Sequence, residues 1–331
     1  SHPSSPEIFE SYLTSAEQYI EVAERVSGAI PRPVDDDYVW GDALDILREL
    51  KPAARIVNLE TAVTISDDNW PGKGIHYRMH PRNLPVLTAA GVDCCVLANN
   101  HVLDWGYAGL EETLSTLERA GIKTCGAGTN IDEAMAPAVF DIAGKGRVLL
   151  FSFGDVSSGV PTSWRASTSR AGIHLLNNLS AKTVARLGQQ INAYRNEKDI
   201  VIASIHWGGN WGYQIPTTPA RFARGLTDQA GVDIVHGHSS HHPKGIEIYR
   251  NRPIIYGCGD FINDYEGISG YEDFRSDLSL MYIIPLNAGT GELVRFELVP
   301  TQIKNLRVNY TNRADAKWLA DMLSWQGRKL N

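Results

Sequence analysis

The sequence predicts an α/β fold of two packed β-sheets flanked by helices, and three observations carry that prediction. Short apolar runs alternate with amphipathic segments from residue 55 to residue 235, which is the pattern of βαβ units. Two hairpin signals follow, at 245–256 and at 278–300, and they suggest a second, more antiparallel sheet packed on the first. No linker, internal repeat or low-complexity tract divides the chain. Its 331 residues are therefore read as one domain, with residues 1–50 as a helical N-terminal segment.

Residues 9–26 place Tyr12, Ala16, Tyr19, Ile20 and Ala23 on one face and predict an amphipathic helix. Pro31 and Pro33 break the chain before a second helix over 40–50. A strand is expected at 55–60, a helix at 84–90, a strand at 93–97 and a helix at 107–120. The last of these carries Leu110, Leu114 and Leu117 at helical spacing. The alternation continues with strands at 147–153, 199–205 and 232–235, and with helices at 182–195 and 221–230. Strands 245–249 and 253–256 flank Arg250-Asn251-Arg252, and strands 278–285 and 293–300 flank Asn287-Ala288-Gly289-Thr290-Gly291.

Composition narrows the function classes. Hydrophobic residues at 43% and charged residues at 21% are ordinary for a soluble globular chain. A formal charge of −7 leaves no basic footprint for nucleic acid. No apolar run reaches the length of a membrane span, and no signal-peptide core is read at the N-terminus. Cys94 and Cys95 are adjacent on a strand, so they face opposite ways and are poorly placed to pair. With Cys125 and Cys258 they read as reduced thiols, and the expected location is cytoplasmic.

The chemistry collects at the ends of predicted strands. Arg55-Ile56-Val57-Asn58-Leu59 runs into Glu60. Leu97-Ala98-Asn99-Asn100-His101 is followed by Asp104 and Gly106. Residues 199–205 deliver His206-Trp207-Gly208, and residues 232–235 deliver His236-Gly237-His238-Ser239-Ser240-His241-His242. The carboxyl ends of strands are where open α/β sheets gather ligands. Imidazole, carboxylate and amide oxygen suit Zn, Mn, Fe or similar ions, and no thiolate stands among them. Two loops rich in glycine and aromatics, 67–78 with Trp70 and 208–216 with Trp211 and Tyr213, are expected to meet an organic substrate.

In this order the motifs resemble the CapA family, the poly-γ-glutamate capsule proteins. They are Asn58-Leu59-Glu60-Thr61, Ala98-Asn99-Asn100-His101 with Asp104, Gly126-Ala127-Gly128, His206-Trp207-Gly208, Gly237-His238 with His241, and Tyr256-Gly257-Cys258-Gly259-Asp260-Phe261. The resemblance spans about residues 50–300. It implies a calcineurin-like metallophosphatase fold and a binuclear site for divalent ions such as Mn, Zn, Fe or Ca. By the same resemblance Glu60 is the bridging carboxylate, Asn100 the amide ligand, and His206, His238 and His241 the imidazole ligands. His101 is the general acid/base, and Asp104 its candidate orienter. His236 and His242 flank these positions as further ligands or supporting groups. Family members usually begin with a strand ending in Gly-Asp, and nothing before Pro6 matches it, so the chain is expected to start after that strand. Gly209 and Asn210 stand where an acidic residue commonly follows, Ser239-Ser240 replaces the usual His-Pro, and Asp260 replaces the commoner Asn; these departures imply a subgroup with its own substrate.

The leading expectation is a metal-dependent hydrolase acting on a peptide-like or γ-glutamyl substrate, with His101 protonating the leaving group. Two alternatives remain open. One is a metal-dependent peptide epimerase, working through two bases on opposite faces of one carbon. The other is a non-catalytic scaffold for capsule or polymer biosynthesis.

Overall fold

The computed structural model describes residues 8, 10 and 13–330. Helix α1, Ala16–Ser27, begins where Ser15 and Gln18 form a capping box. The predicted start at residue 9 is therefore too early, and Phe9 and Tyr12 lie outside the described residues. Helix α2, Ala43–Leu50, is shorter than expected at its N-terminal end. Gly41 interrupts the chain after a tight turn at Tyr38–Trp40, with φ +46° and the carbonyl of Val308 only 2.1 Å from where a Cβ would stand.

The first sheet holds β1 (Ile56–Asn58), β2 (Cys94–Val96) and β3 (Lys123–Cys125), all parallel and in that order. The second holds β4 (Ala138–Ile142), β5 (Gly146–Gly154), β6 (Ile200–His206), β7 (Ile234–His238), β8 (Ile246–Tyr249) and β9 (Arg252–Ile255). Their spatial order is β8-β9-β7-β6-β5-β4, with β5, β6, β7 and β9 parallel and an antiparallel strand at each edge. The second sheet thus begins near residue 138, not at the hairpin of 245–256. That hairpin joins the large sheet because β9 pairs in parallel with β7, Val235 opposite Ile254. The later hairpin, β10 (Leu278–Ile283) with β11 (Glu297–Ile303), forms a separate antiparallel sheet with β12 (Val308–Tyr310).

The two main sheets pack face to face. Cys94, Val96 and Cys125 from the first meet Ala138, Phe140, Leu150, Ile202 and Ile234 from the second. Strand alternation sends the neighbouring residues outward. Cys95 and Leu97 pack with Leu87 of α3 (Pro85–Ala89) and with Leu110 and Leu117 of α4 (Gly106–Arg119). On the far side Phe151, Val201 and Ala203 pack with Val184, Leu187 and Ile191 of α5 (Ala181–Tyr194) and with Phe222 and Leu226 of α6 (Thr217–Ala230). The result is a helix–sheet–sheet–helix sandwich. Helix α7, Arg313–Gly327, closes the chain against β8 and β11. Among the described residues no helix is long and apolar enough to cross a membrane.

This layering brings the carboxyl ends of β1 and β2 to the carboxyl ends of β6 and β7. The sheets touch there at Gly126, whose φ is +88° and whose missing Cβ would lie 2.7 Å from Ser152 and 2.8 Å from Ala98. Gly126→Ala is expected to destabilise the fold by at least ~2 kcal/mol, from left-handed strain plus overpacking. Gly121→Ala, at φ +73° with nothing within 4 Å, carries the strain alone. Urea unfolding of the two variants should therefore show the larger loss at position 126.

Candidate functional site

Asn99 organises the first sheet's contribution. Its fully buried amide donates from Nδ2 to the carbonyl of Leu59 at 2.9 Å and to Oδ1 of Asn58 at 3.1 Å. Its Oδ1 accepts the backbone N–H groups of His101 and Val102, both at 3.1 Å. Asn58 in turn donates to Oε2 of Glu60 at 2.8 Å. One side chain thereby fixes the ends of β1 and β2 relative to each other, and with them Glu60, Asn100 and His101.

His101 lies 7% exposed, with Nδ1 2.6 Å from Oδ2 of Asp104. Asp104 is fully buried and also accepts from the backbone N–H of Tyr77 at 2.8 Å and from Lys73 Nζ at 2.5 Å. The Tyr77 ring stacks on the imidazole with centroids 4.0 Å apart. Asp104 occupies Nδ1, so Nε2 is the ring nitrogen left to exchange a proton. Burial pulls the His101 pKa below the usual histidine value, against the opposing pull of Asp104.

The second sheet contributes a file of hydrogen-bonded histidines. His206 and His238 are direct partners across β6 and β7, and their Nδ1 atoms are 2.8 Å apart. His238 Nε2 is 2.9 Å from Ser204 Oγ, which is 3.0 Å from Nδ1 of His236. Burial drives the pKa values of His206 and His238 well below the ordinary value and takes His236 to about 4, so all three imidazoles are neutral. One consistent arrangement runs His206 Nδ1–H to His238, His238 Nε2–H to Ser204, and the Ser204 hydroxyl to His236. It leaves a bare lone pair on Nε2 of His206.

That lone pair faces two oxygens. Asn100 Oδ1 is 3.1 Å away and Glu60 Oε1 is 3.6 Å away. Ligands about 2.1 Å from a shared ion stand about 3.0–3.4 Å apart; the Asn100 separation falls in that range and the Glu60 separation lies just beyond it, and imidazole, amide oxygen and carboxylate are a donor set suited to one divalent ion. Among the described residues no three His, Cys, Asp or Glu side chains form such a group; here the third donor is an amide oxygen. A metal-bound histidine commonly donates its other N–H to an orienting partner, and His238 stands where that partner belongs.

His238 and His241 do not converge on this point. His238 turns Nε2 to Ser204. His241 Nδ1 lies 2.9 and 3.1 Å from the two oxygens of Asp260, which also accepts from Asn263 at 2.9 Å. Burial lowers the His241 pKa, but the charges of Asp260 and Glu60 and the Asp260 hydrogen bond outweigh it and raise the value to about 9. Glu60 is pushed up to about 7 by burial and by Asp260, against the pull of His241, Asn58 and Lys73. His242 donates from Nδ1 to the Pro243 carbonyl, 3.1 Å away, and packs among Trp211, Tyr213 and Phe274.

The aromatic loops divide. Trp211 stacks on Tyr271 at 4.0 Å and stands 5.4 Å from His241, beside the site. Trp70, expected at a substrate, instead packs edge-on against buried Trp164 and Tyr107 and closes the core. Tyr213 lines a cavity of about 470 Å³ with Gln214, Trp325 and Lys329, and none of Glu60, Asn100, His101 or His206 borders it. Cys258 is held protonated, its pKa raised to about 12 by burial and by the charges of Asp260 and Glu60. In the sequence Asn99 and Asp260 stand within the motifs without an assigned role, Ser204 is only part of a strand, and Lys73 and Tyr77 only parts of a loop. The doubled asparagine at 99–100 was the available signal for the first.

The model of the family described as bacterial capsule synthesis protein PGA_cap matches residues 14–265. The chain belongs to this family. Its sandwich is accordingly the metallophosphatase-like fold of capsule and polyglutamate synthesis proteins. A Mycobacterium tuberculosis protein named "Probable polyglutamine synthesis accessory protein" is 42% identical over 329 residues, covering 99% of this chain and 86% of the relative. The PGA biosynthesis protein CapA of Bacillus subtilis is 27% identical over 247 residues, 74% of this chain and 60% of its own length. The capsule biosynthesis protein CapA of Bacillus anthracis is 23% identical over 228 residues, 66% of this chain and 53% of its own length.

Asn99→Ala would leave Leu59 O and two backbone N–H groups buried without partners. It is expected to cost about 3 kcal/mol in chemical denaturation.

Proposed function

We propose that this chain is a metal-dependent hydrolase that cuts γ-glutamyl amide bonds in polyglutamate metabolism. The observation that carries the reading is the meeting of His206 Nε2, Asn100 Oδ1 and Glu60 Oε1 at 3.1 and 3.6 Å, close to the His101–Asp104 pair. The names of the relatives supply the polymer, and the fold supplies the hydrolytic precedent.

Glu60, Asn100 and His206 would hold the ion, with His238 orienting His206 from behind. A divalent ion bound there supplies an acidified water and a positive charge for the amide oxygen. The remaining work belongs to the protein. Asp104 accepts the His101 Nδ1–H, so the bare Nε2 would take the proton that the attacking water gives up and pass it to the departing nitrogen. Tyr77 holds the ring by stacking, and the neutral state of His206 keeps its donor pair available. His241, positive at neutral pH through Asp260, adds charge on the side of Glu60.

Elemental mass spectrometry of purified protein is expected to find about one divalent transition ion per chain. It should be absent in His206→Ala and more weakly held, by about 10- to 100-fold, in His238→Ala. His101→Ala should keep the ion yet release glutamate from γ-linked oligomers about 10²- to 10⁴-fold more slowly. An ion-free protein that releases nothing but retains binding to polymer would make the accessory role the correct one.

A further inference from the structure

Lys73 brings its amine beside His101, where burial lowers its pKa against the opposing pull of Asp104, and the ion-binding groups do not require it there. Its loop is firmly built. Trp70 N donates to the Asp104 carbonyl at 2.7 Å, Tyr77 N to the Asp104 carboxylate at 2.8 Å, and Trp105 Nε1 to the Tyr77 carbonyl at 2.9 Å. Arg78 donates to the Ser66 carbonyl at 2.8 Å and lies over the Trp105 ring at 4.0 Å. These ties hold the Lys73 side chain at 16% exposure, its Nζ 2.5 Å from Asp104 and 5.0 Å from the centroid of the Trp164 ring. Nζ also donates to the backbone carbonyl of Asn100.

An ammonium has three N–H donors. Asp104 and Asn100 take two among the described residues, which leaves one for a ligand. Asp104 also accepts from His101 and Tyr77, but Lys73 is the cation that balances this buried carboxylate, and it does so with one of its three N–H groups.

Resting on the γ-glutamyl reading above, we propose that Lys73 binds the free α-carboxylate next to the amide being cut, and so selects γ-linked over α-linked glutamate. In a γ-linked chain each α-carboxylate is free and is attached to the carbon that bears the amide nitrogen. In an α-linked chain that carboxyl is consumed by the next bond, and the free carboxylate lies two carbons further out. Lys73 shares Asp104 with His101, the group that protonates the departing nitrogen. The carboxylate beside that nitrogen is therefore the one presented to the ammonium. A charge-assisted hydrogen bond of this kind gives about tenfold or more in affinity.

The test uses the full chain as purified, with γ-linked and α-linked tetraglutamate, each amidated at its terminal carboxyl. Calorimetry reads binding and chromatography reads released fragments, for wild type, Lys73→Met and Lys73→Arg. The wild type is expected to bind the γ-linked ligand about tenfold or more tightly than the α-linked one. Lys73→Met should lose that preference and Lys73→Arg should recover most of it. A preference that survives Lys73→Met, or a wild type that binds both ligands equally or neither, overturns the proposal. A Lys73-dependent preference without fragment release upholds this role and removes the hydrolase reading; fragment release with no such preference does the reverse. Should Lys73→Met not fold, Lys73→Gln still donates to Asp104 and gives the same comparison.

Discussion

The primary amide of Asn99 is the joint from which the site hangs. Four hydrogen bonds leave one buried side chain, two outward from Nδ2 to the end of β1 and two inward to Oδ1 from the turn after β2. An aspartate could accept the inward pair but would set a charged oxygen against the Leu59 carbonyl. A glutamine would carry the same groups one carbon too far. Through Asn58 the joint reaches Glu60, and through the turn it reaches His101, so the acid–base group and the carboxylate cannot drift independently. The price of this rigidity is that four polar groups lose a partner together if the amide is lost.

The second sheet meets that joint at a single atom. Neutral His206, backed by His238 and Ser204, presents Nε2 to Asn100 and Glu60. The proton order along the imidazole file has two self-consistent directions. One places a hydrogen on His206 Nε2, where Asn100 Oδ1 accepts it. The other leaves a lone pair there, facing two oxygens, a contact that a cation relieves. The same file therefore reads as a hydrogen-bonded core without an ion and as a donor set with one.

Much of this was legible in the sequence because strand ends are legible. Glu60, Asn100, His101 and His206 each follow an apolar run, and β1, β2, β6 and β7 place them side by side. What could not be read was the direction of each side chain. His238 and His241 have ligand spacing, yet one turns to Ser204 and the other to Asp260, choices made by tertiary neighbours. In the fold, β4 escaped notice because Ala138–Ile142 is a short edge strand with one polar residue. Helix α7 escaped because its apolar side chains are interleaved with Asp315, Lys317 and Asp321, and only Leu319 and Gln326 are deeply buried. The hairpin of β8 and β9 was recognised, but its sheet was not, since parallel pairing to β7 is a long-range fact that local pattern does not contain.

Charge decides how such a site can treat a polyanion. The chain carries a formal charge of −7, so its far field repels polyglutamate, but salt screens that field beyond about 8 Å. Close in, Lys73 pairs with Asp104 and His241 with Asp260, and burial raises the Glu60 pKa to about 7. Each of these side-chain cations is already paired with a carboxylate. A polymer is therefore not drawn along a basic track, as nucleic acid is on its binding proteins. Under the reading proposed above, it would gain affinity where one carboxylate meets one fixed donor, unit by unit. A site of this kind suits chemistry on one bond at a time.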